Sequence, residues 1–185
     1  MVSLSPPLCD FGWKAKTFNL LGVDNKLWDL EEAKGENGLL LMFICNHCPY
    51  VKAILPRLVN DLKDLKKYGI NSIAISSNDV LNYPEDSPEL MKENAIEYNF
   101  CFPYLYDESQ QTALDYDAAC TPDFYLYDGN MKLVYRGQLD DSRPGNNLSC
   151  DGNDLNHAID CLMQNKVNDK LQKPSIGCNI KWKLS

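Results

Sequence analysis

Leu40-Leu41-Met42-Phe43-Ile44-Cys45-Asn46-His47-Cys48-Pro49-Tyr50-Val51 joins an apolar run to the first turn of an amphipathic segment. Leu39 to Ile44 contains no polar residue, which suits a strand buried on both faces. From Tyr50 the period changes. Val51, Ile54, Leu55, Leu58, Val59, Leu62 and Leu65 recur at steps of three and four, and Tyr68-Gly69 ends the pattern. This predicts a helix of roughly 17 residues, kinked at Pro56, where a backbone donor is missing. Cys45 and Cys48 therefore stand where a strand hands over to a helix. Unpaired N–H groups and the positive end of the helix dipole at such a place favour thiolate over thiol. The stretch reads as the site of thiol–disulfide redox chemistry.

Working outward on both sides gives an alternating order of elements. Phe18-Asn19-Leu20-Leu21 and Lys26-Leu27-Trp28-Asp29-Leu30 flank the turn residues Gly22-Val23-Asp24-Asn25 and predict an N-terminal hairpin. Ile70 to Ser76 predicts a second core strand, followed by a turn-rich loop from Asn78 to Pro88. Helices are expected over Glu89–Tyr98, Glu108–Tyr116 and Asp154–Met163, and a strand over Phe102–Tyr106. Asp123–Tyr127 and Lys132–Tyr135 flank Asp128-Gly129-Asn130, a hairpin signal. The remainder, residues 164–185, has no repeat or strong period. The order predicts an α/β protein with helices on both faces of one sheet.

The chain has 185 residues, enough for one well-buried domain over residues 1–185, with a core from about 17 to 163 and an irregular tail from 164 to 185. Its net charge of −8 leaves no basic surface to follow a phosphate backbone, so nucleic acid is not an expected partner. Met1 to Cys9 lacks a basic region and a long apolar run and carries two prolines, so it does not read as a signal peptide. No segment approaches the roughly 20 apolar residues of a membrane span, and a cytoplasmic, membrane-free protein is expected. In a reducing compartment its eight cysteines are expected to be mostly reduced, any disulfide being transient and catalytic. Cys101, between Phe100 and Phe102, reads as a buried strand residue, and Cys161 as the apolar side of the last helix. Cys9 and Cys150 lie in segments without periodicity and take no role.

The element order, the cysteines after the first core strand, and Thr121-Pro122 before the closing hairpin resemble the thioredoxin superfamily. The N-terminal hairpin, the insertion after the second core strand, and Asp107-Glu108-Ser109-Gln110 leading into Cys120-Thr121-Pro122-Asp123-Phe124 are similar to its AhpC/TSA (peroxiredoxin-like) branch. Asn46 to Val51, Ser76-Ser77-Asn78-Asp79, Tyr135 to Gly145 and Pro174-Ser175-Ile176-Gly177-Cys178 resemble signatures of its uncharacterised peroxiredoxin-like subgroup. The resemblance covers residues 17–163 and implies a thioredoxin-like fold, a central mixed β-sheet flanked by helices, with an N-terminal hairpin extension and a C-terminal tail.

It also supplies a register. In the thioredoxin pattern Trp-Cys-Gly-Pro-Cys-Lys-x-x-x-Pro the attacking cysteine precedes the helix proline by eight residues. Pro56 lies eight after Cys48 and eleven after Cys45, so the resemblance puts Cys48 in the attacking position and Val51 in that of the second cysteine. Pro49, a favoured first helical residue, agrees with Cys48 as N-cap. Exchange also needs a resolving thiol. Cys45 is the economical candidate if its sulfur meets the distance limits for a bridge, with Cys120 or, on a flexible tail, Cys178 as alternatives. Cys120 reads equally as a plain buried cysteine. His47 stands between the cysteines as a thiolate modulator or proton donor, or as a solvated loop residue; His157 reads as surface. The resemblance implies that Thr121-Pro122 is a cis-proline loop offering backbone to a substrate.

Two rival activities stay open. A peroxiredoxin site has Pro-x-x-x-Thr-x-x-Cys with an arginine, but counting back from Cys48 puts Cys45 at the threonine position and Leu41 at the proline position. Arg136 and Arg143 read as surface or loop-fixing residues paired with Asp140 and Asp141, so any peroxidase activity is expected to be slow. Copper-chaperone relatives use two cysteines four apart with a distant-loop histidine; here the spacing is three. Neither a second C-x-x-C nor a close Cys/His pair accompanies Cys45 and Cys48, so no metal ligand set and no cofactor is expected. The expected partners are a protein or small-molecule thiol or disulfide substrate and a thioredoxin- or glutathione-type reductant. The chain carries no signal for an oligomeric state.

Overall fold

Alternation along one strand sorts the molecule into layers. In β4 (Gly38–Phe43), Leu40 and Met42 face one hydrophobic cluster and Leu39, Leu41 and Phe43 the other, all five fully buried. The structure, a computed structural model, describes residues 3–4 and 11–184. The expectation drawn on the stretch around Cys9 therefore lies largely outside the described residues. Among these residues no helix is long and apolar enough to cross a membrane.

Seven strands form the main sheet: β2 (Asn19–Gly22), β3 (Leu27–Asp29), β4, β5 (Ile70–Ser76), β6 (Tyr104–Tyr106), β8 (Asp123–Asp128) and β9 (Leu133–Gly137), in the order β3-β2-β6-β5-β4-β8-β9. β4 and β5 are parallel, as are β5 and β6, whereas β8 and β9 close one edge as an antiparallel hairpin. The sheet is thus mixed. α2 (Pro49–Leu62), α3 (Pro88–Glu97) and α5 (Asn153–Met163) cover the face that carries Leu40 and Met42. α1 (Leu30–Ala33) and α4 (Gln111–Asp115) cover the other. This is the expected α/β layering.

The element boundaries differ from the expected ones for local reasons. α2 has 14 residues, passes through Pro56, and gives way to a 3-10 turn at Leu65–Tyr68, which Gly69 ends at φ 72°. A tightened last turn has replaced the final α-helical one. α4 begins at Gln111 because Asp107, fully buried, accepts from Ala113 N, Ser77 Oγ and Ser109 Oγ and thereby fixes residues 108–110 as a turn. Cys101 is exposed and lies ahead of β6, not buried within it: the strand starts only after Pro103, which has no N–H to give to a ladder. Cys161 is buried on α5 as expected.

The tail is the main departure. Residues 177–179 form β10 (Gly177–Asn179), the middle strand of a small second sheet between β1 (Ser3–Leu4) and β7 (Cys120–Thr121). Both pairings are antiparallel, with Cys178 opposite Ser3 on one side and Thr121 on the other. The rest of the tail is fastened by buried side chains. Lys181 N donates to Asn78 Oδ1 at 2.8 Å, Gln110 Nε2 donates to Lys181 O at 2.9 Å, and Lys183 N donates to Gln110 Oε1 at 2.8 Å. The tail is tied by polar contacts to single residues, which leave no hydrophobic period in the sequence.

Candidate active site

Three pieces of chain converge at the carboxyl end of β4. The loop Ile44–His47 leaves the strand, Cys48 caps α2, and Pro49 takes the first helical position. The loop is held by Asp86, a fully buried carboxylate, which accepts from Asn46 N (2.8 Å), His47 N (3.2 Å), His47 Nδ1 (2.6 Å) and Asn78 Nδ2 (2.7 Å). Asn46 is itself buried, donating to Glu85 O at 3.0 Å while its Oδ1 accepts from Asn94 and Tyr104, each at 3.1 Å. A buried carboxylate with four donors is a satisfied one. It fixes the backbone that delivers Cys48.

The second piece is β7. The Thr121–Pro122 peptide bond is cis. Thr121 O lies 3.2 Å from Cys48 Sγ, and Thr121 Oγ1 lies 3.3 Å from Cys45 Sγ. The third is β10, whose Cys178 Sγ stands 2.9 Å from Cys48 Sγ. Strand pairing with Thr121 places it there. Gly177 makes that approach possible, because a Cβ at this position would lie 1.9 Å from Thr121 O.

The sulfurs are electrostatically unequal. Cys48 is lowered to about 5, first by the hydrogen bond from Cys45 and further by those from Cys178 and from the backbone N–H groups of Val51 and Cys178. Helix α2 adds its dipole. Cys45 is pushed well up, because its thiol donates to Cys48 and because it is buried. Cys178 is pushed up to about 12 by burial and by the neighbouring Cys48 sulfur. Cys120 is raised by burial, and its sulfur contacts Pro122 O at 3.8 Å. The arrangement holds one thiolate and two thiol donors.

His47 is half-buried and stacked on Tyr83, with ring centroids 5.7 Å apart and an interplanar angle of 10°. Its hydrogen bond to Asp86 raises its pKa above the ordinary imidazole value and favours the protonated ring. Arg136 departs from expectation. It is buried, pairs with Asp123 at 3.2 Å and lies over the Tyr125 ring, away from Asp140 and Asp141. Asp123 is buried behind the sheet and needs a counter-charge there, which a surface role would not have supplied. Arg143 does fix its loop, donating to Asp140 O and Ser142 O at 2.6 Å. Ligand atoms of Cys45, His47 and Asp86 lie within 4.8 Å of one another, so, contrary to expectation, the fold brings a third donor type to Cys45 and His47 from a distant loop.

Of the residues singled out from sequence, the structure brings Cys45, Cys48, Thr121 and Cys178 together, with Pro122 and Cys120 on the same loop and His47 on the flank. Asp86, Asn46 and Asn78 were not singled out as site residues. Asp86 lies in a stretch of turn residues, Pro84-Glu85-Asp86-Ser87, where an acidic side chain is unremarkable.

Comparison with known proteins places this geometry in context. The model of the AhpC/TSA family matches residues 11–136. An uncharacterized conserved protein from Geobacillus kaustophilus is 48% identical, with a TM-score of 0.97 over 100% of this chain and 98% of that one. A hypothetical protein from Sinorhizobium meliloti 1021 is 41% identical, with a TM-score of 0.95 over 98% of this chain and 99% of that one. Peroxidoxin BcpB from Mycobacterium tuberculosis shares the fold at 14% identity, with a TM-score of 0.63 over 83% of this chain and 96% of that one. No curated protein matches.

Proposed function

The chain belongs to the AhpC/TSA family of the thioredoxin superfamily, and from that premise we propose that it is a thiol–disulfide oxidoreductase in which Cys48 attacks and Cys178 resolves. One observation carries the reading: Cys48 caps α2 with its sulfur 2.9 Å from that of Cys178.

The Cys48 thiolate attacks one sulfur of a substrate disulfide. The substrate S–S bond breaks, a Cys48–substrate bond forms, and the departing thiolate takes a proton from water. Cys178 then gives its proton to water and attacks Cys48 Sγ. The mixed disulfide breaks, the second substrate thiolate leaves, and a Cys48–Cys178 disulfide remains. The substrate has gained two electrons and the protein has lost two; one thioredoxin-type dithiol, or two thiols of glutathione type, return them and leave as a disulfide. The two steps are timed by charge. Burial and, while it is a thiolate, the Cys48 sulfur both favour the protonated form of Cys178. Once Cys48 is in a mixed disulfide that negative charge is gone, and Cys178 becomes easier to ionise at the moment it is needed. Cys45 serves as the S–H donor that keeps Cys48 ionised.

Differential alkylation with peptide mapping after mild oxidation, combined with turnover assays, tests the assignment. Cys48→Ser is expected to abolish turnover. Cys178→Ser should accumulate mixed disulfide, and Cys45→Ser should slow the reaction without stopping it. A Cys45–Cys48 pair in the oxidised wild type, or equal loss in Cys48→Ser and Cys45→Ser, overturns the reading. Stopped-flow mixing with hydrogen peroxide separates it from peroxidase activity.

A further inference from the structure

A second convergence of chemically competent side chains joins α5 to the tail, outside the candidate active site. His157 and Cys161 are one turn apart on α5, a spacing that puts both side chains on one helix face. Asp169 reaches back to them from the tail. His157 Nε2 is 2.9 Å from Asp169 Oδ1 and 3.5 Å from Cys161 Sγ, and all three ligand atoms lie within 4.8 Å of one another. The sulfur is buried, the imidazole is 30% exposed and the carboxylate 84% exposed. The set therefore has an inner wall and an open side. His157 also lines a shallow concavity of about 350 Å³ with Asp151, Asn153, Asn156 and Asp160, whose two carboxylates favour a cation near the ring. Lys170, the nearest basic residue in sequence, has its ammonium 3.0 Å from Asn153 Oδ1.

We propose that His157, Cys161 and Asp169 form a binding site for a divalent transition-metal ion of the zinc type, with water completing the coordination. The donor set of one sulfur, one imidazole nitrogen and one carboxylate oxygen selects zinc or a neighbour and disfavours magnesium and calcium, which take oxygen ligands. The distances fit. Zinc bonds of about 2.0 Å to nitrogen and oxygen and about 2.3 Å to sulfur put tetrahedral ligands roughly 3.3–3.6 Å apart. His157 and Cys161 already stand at that separation, and Asp169 reaches it by moving a few tenths of an ångström from His157 and closing on Cys161. Its exposed side chain is free to turn. A bound ion would fasten the tail to α5 ahead of β10, and the site does not depend on the redox reading above.

The chain has only two histidines, His47 beside Cys45 and Cys48 and His157 on α5, so histidine-ring NMR reports where a metal goes. In a zinc titration of the reduced full chain, the His157 resonances are expected to move and saturate at one equivalent for that site. Cys161→Ser and Asp169→Asn should each weaken this response by tenfold or more. Asp169 is exposed, so its variant tests the site without risk to the fold. Movement of His47 alone, no response from His157, or a His157 response unchanged in both variants overturns the proposal.

Discussion

Cys48 owes its acidity to groups brought from three places in the chain: Cys45, the first turn of α2 with Val51, and Cys178. Alkylation of Cys48, followed by peptide mapping, is therefore expected to rise as pH passes through about 5 and to be flat above it, where an unperturbed thiol would rise near 9.0. Cys45→Ala removes the largest contribution and should move the midpoint upward; a wild-type midpoint near the unperturbed value would remove the basis for Cys48 as attacker. The same shift acts on stability. The native value lies below the unfolded one, so the contribution is fully present above the ordinary thiol range and is lost as pH falls through about 5. Cys48 was legible in the sequence because Pro49 and the distance to Pro56 are local. Asp86 was not. Its importance comes from being fully buried beneath Asn46 and His47, and burial of a loop acid depends on where the loop lands.

At the scale of elements, α2 and β10 share the work of the site, and only α2 announces itself. Its apolar residues repeat over 14 positions, whereas β10 has three residues and pairs through backbone groups that any sequence carries. A three-residue strand cannot display an alternation. Its one local signature is Gly177, needed because Thr121 O would stand 1.9 Å from a side-chain carbon there. Gly177→Ala must push backbone against backbone, so it is expected to cost about 1–3 kcal/mol and to displace Cys178. Denaturant unfolding reads the first effect. The second should appear as a longer-lived mixed disulfide while the attack by Cys48 proceeds; unchanged resolution kinetics would show that Cys178 does not act from β10.

Over the whole molecule, the main sheet followed from the sequence because its strands and helices each carry their own period: buried runs at β4 and β5, turn residues between β8 and β9. The small second sheet was invisible for the opposite reason. It gathers residues 3–4, 120–121 and 177–179, three fragments too short to carry a pattern and too far apart in sequence to suggest one another. Yet this sheet brings the two sulfurs together across a separation of 130 residues. A bond between them would tie about seven-tenths of the chain into a ring, and the denatured state would lose the corresponding freedom. The loop-entropy relation gives up to about 5 kcal/mol for a ring of that size and only about 2 kcal/mol for one closed between Cys45 and Cys48. Calorimetry should accordingly find the oxidised protein melting well above the reduced one. A small rise would instead indicate the short ring. The redox state of this protein would then be written in its melting temperature.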